Sequence, residues 1–256
     1  MAGGGAVRTA SISCFLASRF RLHLVTFRVG AGPDSDFPDG FPREAAEKLD
    51  WIHLPPHRKD LATRVLRNTA RLVRGVPPLT DRFCGDGSRE QVARAIGGRR
   101  YKLAVIEHFW CAPYEGLLRR HAEHVVMDMH NIESALHGRC ARTEPRPGRW
   151  AHQAFARLAE QAERESLPKF DLVLAASEAD RARILDLAPD ACVAVYPNAI
   201  PLRFPEPVDE ENCIAFSGNL EYHPNVAAVR YFAQSVWPAL RKRRPDLRWR
   251  LIGKND

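Results

Sequence analysis

The chain has 256 residues, 45% of them hydrophobic and 27% charged, with a formal net charge of +7. That is enough apolar material for a real core in one or two domains, and no apolar run approaches the roughly 18–20 residues that span a bilayer. The basic balance invites a nucleic-acid partner. However, no nucleic-acid motif accompanies it and the aromatics sit in apolar runs rather than between basic residues, so an anionic membrane surface or a phosphate-bearing substrate fits as well.

The N-terminus shows no basic-then-apolar leader. The six cysteines (14, 84, 111, 140, 192, 213) are scattered without a Cys-x-x-Cys pair. Free thiols and a cytoplasmic location are the expectation.

Gly3-Gly4-Gly5 leads into an amphipathic helical pattern over 7–18. In a Rossmann-like domain a glycine turn of this kind links the first strand to its helix, yet no strand precedes it here. The competing reading of Gly3–Gly5 is a leader without structure. Gly4 and Gly5 are candidates for a phosphate- or acceptor-side loop. Arg8, just behind them, is placed to meet a phosphate or an acceptor unless it is an ordinary surface arginine.

A strand reads at 21–27, a Gly/Pro/Asp-rich loop at 29–45 and a short strand at 51–55. Asp60 to Gly75 is an amphipathic helix with those two residues as caps. Leu61, Val65, Leu66, Leu72 and Val73 form one stripe; Arg64, Arg67, Arg71 and Arg74 share another face. The arginine face is expected to be solvated, or to meet a membrane or an anion.

Further strands read at 103–107, 124–128, 170–177 and 192–196, separated by helices near 113–121 and over 150–167 and by a helix start at Ser177. Short apolar runs alternating with helical patterns are the mark of parallel βαβ units. A Pro-rich joint over 197–207 separates this part from a strand at 213–218, a helix at 225–242 and a strand at 248–252. Arg241-Lys242-Arg243-Arg244 closes that helix, where cations suit the dipole.

Ligands of parallel α/β sheets bind beyond the carboxyl ends of the strands. That rule selects Glu107-His108, Asp128-Met129-His130, Ser177-Glu178, Gly218-Asn219 and Gly253-Lys254. His130 is the strongest single residue, with a structural histidine as its alternative. Asp128 either orients it or caps the next helix, and the cap is favoured. A metal at His121, His124, Asp128 and His130 is not expected, because His124 and Asp128 begin and end a strand and the set need not converge.

Four stretches carry a resemblance: Asp171-Leu-Val-Leu-Ala-Ala-Ser-Glu, Val195-Tyr-Pro-Asn-Ala, Phe216-Ser-Gly-Asn-Leu-Glu-Tyr-His-Pro-Asn-Val and Leu251-Ile-Gly-Lys-Asn. In order and spacing they resemble the hinge region of GT-B glycosyltransferases, nearest to the family-four, retaining, exopolysaccharide type. The resemblance implies an α/β, GT-B-like fold. Residues 1–200 would be an acceptor-side Rossmann-like domain lacking its first strand, and 201–256 the start of a donor-side one, so that the chain is truncated at both ends. It implies sugar transfer from a nucleotide-sugar donor to a saccharide or lipid-linked acceptor, in the cytoplasm or on the inner face of the membrane, with no metal or other cofactor and no nucleic acid. His130 would touch the donor sugar near the reacting carbon, while Gly218, with Asn219, would let backbone amides approach the donor diphosphate. The basic residue that usually adjoins that glycine is Asn219 here, a departure that puts the ionic phosphate clamp in doubt without removing the resemblance. Glu107 and Glu115 imitate the family's Glu-x7-Glu donor motif, which belongs in the second domain; it is not carried over. The residues alone are expected to show weak or no transferase activity. Two rivals are a non-catalytic remnant that binds a membrane or partner, motivated by the Arg64–Arg74 stripe, and a sugar-nucleotide epimerase.

Overall fold

The computed structural model describes residues 4–30, 46–56, 60–199, 211–220 and 223–253. The protein is α/β with parallel strands throughout the described part, divided into two compact units, Met1–Ala199 and Ile200–Asp256. None of the described helices is long and apolar enough to cross a membrane.

In the first unit the order is α1 (Gly4–Ala17), β1 (His23–Val29), β2 (Lys48–Leu54), α2 (Leu61–Arg74), α3 (Thr80–Phe83), α4 (Asp86–Ile96), β3 (Tyr101–Glu107), α5 (Glu115–Leu118), β4 (Ala122–Asp128), α6 (Glu133–Thr143), α7 (Gly148–Ser166), β5 (Leu172–Ala175), α8 (Glu178–Leu187) and β6 (Val193–Val195). β3-β4-β5-β6 form one parallel sheet and β1-β2 a second parallel pair. The loop expected over 29–45 falls largely outside the described residues.

β4 is central, and its last four residues, Val125 to Asp128, are all buried. A strand covered on both faces needs such an unbroken apolar run rather than an alternating one. The register sets Glu107 opposite Asp128, so two carboxylates end neighbouring strands side by side. The core gathers around Val125, Met127, Val173, Ile184 and Leu167, each fully enclosed.

Helix ends reflect their local chemistry. Asp60 accepts the Thr63 N–H at 2.8 Å and Gly75 closes α2 at φ 64°. Ser177 accepts the Asp180 N–H at 3.1 Å, and Glu178 and Asp180 complement the amino-terminal dipole of α8. The N-cap of α6, Ile132, has no side chain to offer; Glu163 reaches over from α7 and accepts the Ser134 N–H at 3.2 Å.

Two helices depart from expectation. α1 begins at Gly4, so Gly4 and Gly5 form its first turn rather than a loop before it. α2 is amphipathic but reversed: Val65, Leu66 and Val73 are 57%, 72% and 83% exposed, while Arg71 is buried and bonded to Asp81 at 2.8–2.9 Å. Of the four arginines only Arg71 is buried, while Arg64 and Arg74 remain exposed.

In the second unit β7 (Cys213–Ser217) pairs in parallel with β8 (Arg248–Ile252), joined through α9 (His223–Tyr231) and α10 (Trp237–Arg243). Between the helices, Phe232–Val236 widens into a π turn, with Trp237 N–H bonded to the Phe232 carbonyl. Pro238, lacking an N–H, cannot continue the α-helical ladder there. Phe232, Trp237 and Trp249 cluster with ring centroids 4.7–6.4 Å apart and join helix to sheet. No described residue of this unit reaches full burial.

Candidate functional site

Three strands of the first unit end in, or run into, chemistry at their carboxyl side. β3 delivers Glu107 and His108, β4 delivers Asp128 and His130, and β6 runs into Tyr196 and Asn198. Asp128 and His130 lie two apart, which sets them on one side of an extended chain. The amino end of α1 comes down on this group.

Arg8 organises it. One turn into α1, it is buried with only 1% exposed, and its guanidinium grips Asp128 through Nε at 3.0 Å and Nη2 at 2.5 Å. Its remaining nitrogen donates to the Tyr196 carbonyl and to Asn198 Oδ1 at 3.1 Å. The Tyr196 ring lies under the same guanidinium, 5.0 Å from its centroid, and the Tyr196 hydroxyl meets Ser11 Oγ at 2.8 Å. A buried charge is tolerable only when paired and hydrogen-bonded in this way. Arg8 is thus neither a surface arginine nor available to a phosphate. Asp128 likewise caps no helix; it is the fully buried counter-ion of Arg8. Burial pushes its carboxyl above the ordinary carboxylate value while Arg8 pulls it back.

His130 is 95% enclosed, its side chain 5% exposed. Its Nε2 lies 3.2 Å from Glu107 Oε2 and 3.6 Å from Asp128 Oδ2. Thr9 Oγ1 donates to the same Glu107 oxygen. The other edge of the ring lies beneath α1: a Cβ on Gly5 would stand 3.4 Å from His130 Nδ1. The helix start thus lies directly over that edge, and only a residue without a side chain lets it sit so near the ring.

His108 stacks on the opposite side, between His130 (3.8 Å between centroids) and Trp110 (4.1 Å, 12° between planes). Its backbone is left-handed at φ 68°, a costly conformation for a residue with a side chain. Burial first, and His130 second, lower its pKa to about 4, so it is neutral at ordinary pH. Its Nδ1 is buried with no hydrogen-bond partner among the described residues.

The structure brings together His130, Asp128, Arg8, Gly5, Glu107 and His108 from the sequence candidates. Gly4 lies in the same first turn of α1. Glu115 instead pairs with Arg119 at 2.9 Å, and His121 with the Arg99 carbonyl at 3.2 Å. Among the described residues, donor atoms of Glu107, Asp128 and His130 all lie within 4.8 Å of one another, a spacing a cation would accept. Each is already engaged, however, and the Arg8 guanidinium supplies the positive charge there. Tyr196, Asn198 and Thr9 were not among the candidates. The signal for Thr9 was its place on the inward stripe of α1, where Arg8, Thr9, Ile12 and Ser13 recur at helical spacing.

Gly218 and Asn219 lie in the second unit, just beyond β7. The Gly218 N–H is taken by the Ile252 carbonyl at 2.9 Å, and a Cβ there would stand 2.9 Å from Asn225 Nδ2, which itself donates to the Asn219 carbonyl at 2.9 Å. A Cβ on Gly253 would fall 1.7 Å from the Gly218 carbonyl oxygen. Packing against the Asn225 side chain of α9 thus accounts for Gly218, and the close approach of the two strand ends for Gly253.

No family model, no curated protein and no solved structure matches this chain.

Proposed function

We propose that the chain carries the acceptor-side lobe and the first donor-side elements of a GT-B-type glycosyltransferase that moves a sugar from a nucleoside-diphosphate donor to a saccharide or lipid-linked acceptor. The observation that supports this best is His130. It stands just past the carboxyl end of the central parallel strand, oriented by Glu107 at Nε2, with its Nδ1 edge against the first turn of α1 at Gly5. With Nε2 donating to Glu107, Nδ1 is left to accept from a sugar hydroxyl without rotamer loss, and the paired carboxylate stabilises the positive charge that develops on the sugar ring as the nucleotide departs. His130 orients the sugar; Glu107 and the Arg8–Asp128 pair hold His130. Saturation-transfer NMR with UDP-, GDP- and ADP-sugars is expected to show contact to sugar-ring protons that His130→Ala loses while far-UV circular dichroism stays unchanged. Binding of none of these donors, or binding unchanged in the variant, overturns the reading.

One observation favours a second reading, a lobe that docks on an anionic membrane. The outward face of α2 is apolar at Val65, Leu66 and Val73, with Arg74 beside it 59% exposed. Salt-sensitive co-sedimentation with phosphatidylserine vesicles, abolished by serine at those three apolar positions and accompanied by no sugar-nucleotide contact, would favour it over the first.

A further inference from the structure

The two sheets of the first unit face each other across a slot. Among the described residues β1 pairs with β2 alone and β3 with β4 alone, so each keeps one unpaired edge. Both edges line one cavity of about 910 Å³, with β1 contributing the unbroken run His23–Phe27 and β3 the unbroken run Tyr101–Glu107. Successive side chains of a strand point to opposite faces, so an unbroken run along one cavity marks the strand's edge, not its face.

The two strands also run the same way. At their amino ends His23 Nδ1 meets Tyr101 Oη at 2.6 Å. Near their carboxyl ends Phe27 packs edge-on against Phe83, 5.0 Å away, and Phe83 stacks on Trp110, just past β3. α1 covers the slot through Thr9, Ile12, Ser13 and Leu16. It starts at the carboxyl side, with Arg8 on Asp128, and leads at the amino side into β1. A helix with that course runs as the crossover of a βαβ unit whose second strand is β1, a connection that is right-handed as a rule.

We infer that the slot seats a further parallel strand, formed by polypeptide continuous with the amino end of α1. It is an aliphatic segment of about seven residues, matching its neighbours, each seven residues long. It is buried on both faces and bonded through its backbone to β1 on one side and β3 on the other. The resulting order is β2-β1-new-β3-β4-β5-β6. The strand order reverses where the new strand meets β3, which is where Glu107, His130 and the first turn of α1 converge; open α/β sheets bind ligands at such a reversal. This inference rests on backbone geometry and is independent of the glycosyl-transfer reading.

Hydrogen exchange tests it. In the 256-residue chain, amides of His23–Phe27 and Tyr101–Glu107 that point into the slot are expected to exchange faster than those of Val125–Asp128 in β4. Appending seven residues of Val, Ile and Ala before residue 1 is expected to slow the slot amides at least about tenfold. An extension of alternating Asp and Lys leaves them unchanged. Slot amides already as slow as those of β4, or unmoved by the aliphatic extension, overturn the inference. If the extended chain does not fold, the comparison within the unmodified chain still decides.

Discussion

Arg8 is worth more to this fold than its single charge suggests. Removing one partner of a buried ion pair leaves the other charged and enclosed, which typically costs about 3–5 kcal/mol. Arg8→Met is therefore expected to lower unfolding free energy by about 3 kcal/mol or more in urea titrations, and Arg8→Met with Asp128→Leu to recover most of that loss. A loss below about 1 kcal/mol for the single variant would show that Asp128 does not depend on Arg8. The burial of Arg8 was only partly legible in the sequence. Its position on the inward stripe of α1 was readable, but its counter-ion is 120 residues away and on a different element. The nearness of Asp128 to His130 was one of two readings of that stretch, and the other, a helix cap, was the one favoured. Glu107 was selected as a strand-end residue, but its contact with His130 was not readable, because it depends on the register between β3 and β4.

At the scale of elements, the α6–α7 pair carries opposed titrations. Burial, then Glu163, raise the Glu133 carboxyl to about 7; burial, then His152, lower His137 to about 4. A carboxyl raised in the fold binds its proton more tightly than the unfolded chain does, so its contribution falls as pH rises from about 4.5 to about 7. A histidine lowered in the fold contributes the reverse slope between about 4 and 6.5. The two offset each other below about 6.5, and only the Glu133 penalty remains above it. Glu133→Gln is expected to leave stability nearly unchanged at pH 4.5 and to raise it by roughly 2 kcal/mol at pH 8, by chemical denaturation at both values. Equal effects at the two pH values would refute the assignment.

Periodicity found these elements well. It named the caps of α2 and the start of α8, because side-chain caps are local chemistry. It missed which way α2 faces, since a period of 3.6 groups residues on a face without saying which face meets the protein. Here Val65, Leu66 and Val73 face outward while Arg71 is held inward by Asp81.

For the molecule as a whole, the two units differ in how much they enclose. The first has a core built on β3–β6; the second offers a two-stranded sheet, an aromatic trio and no fully buried described residue. Two paired strands are marginal alone. Amides of β7 and β8 are expected to exchange by local opening, faster than those of β4 by at least about a hundredfold. Protection equal to β4 would show that the second unit is as cohesive as the first.

Trp110 lies flat against His108, and His108 meets His130 at a tilt of 35°. An indole in face contact with an imidazole loses emission when that imidazole gains a proton. The protein thus holds an intrinsic optical reporter one ring removed from its candidate site. Any solute that displaces the stack should register as a change in tryptophan brightness, without a label.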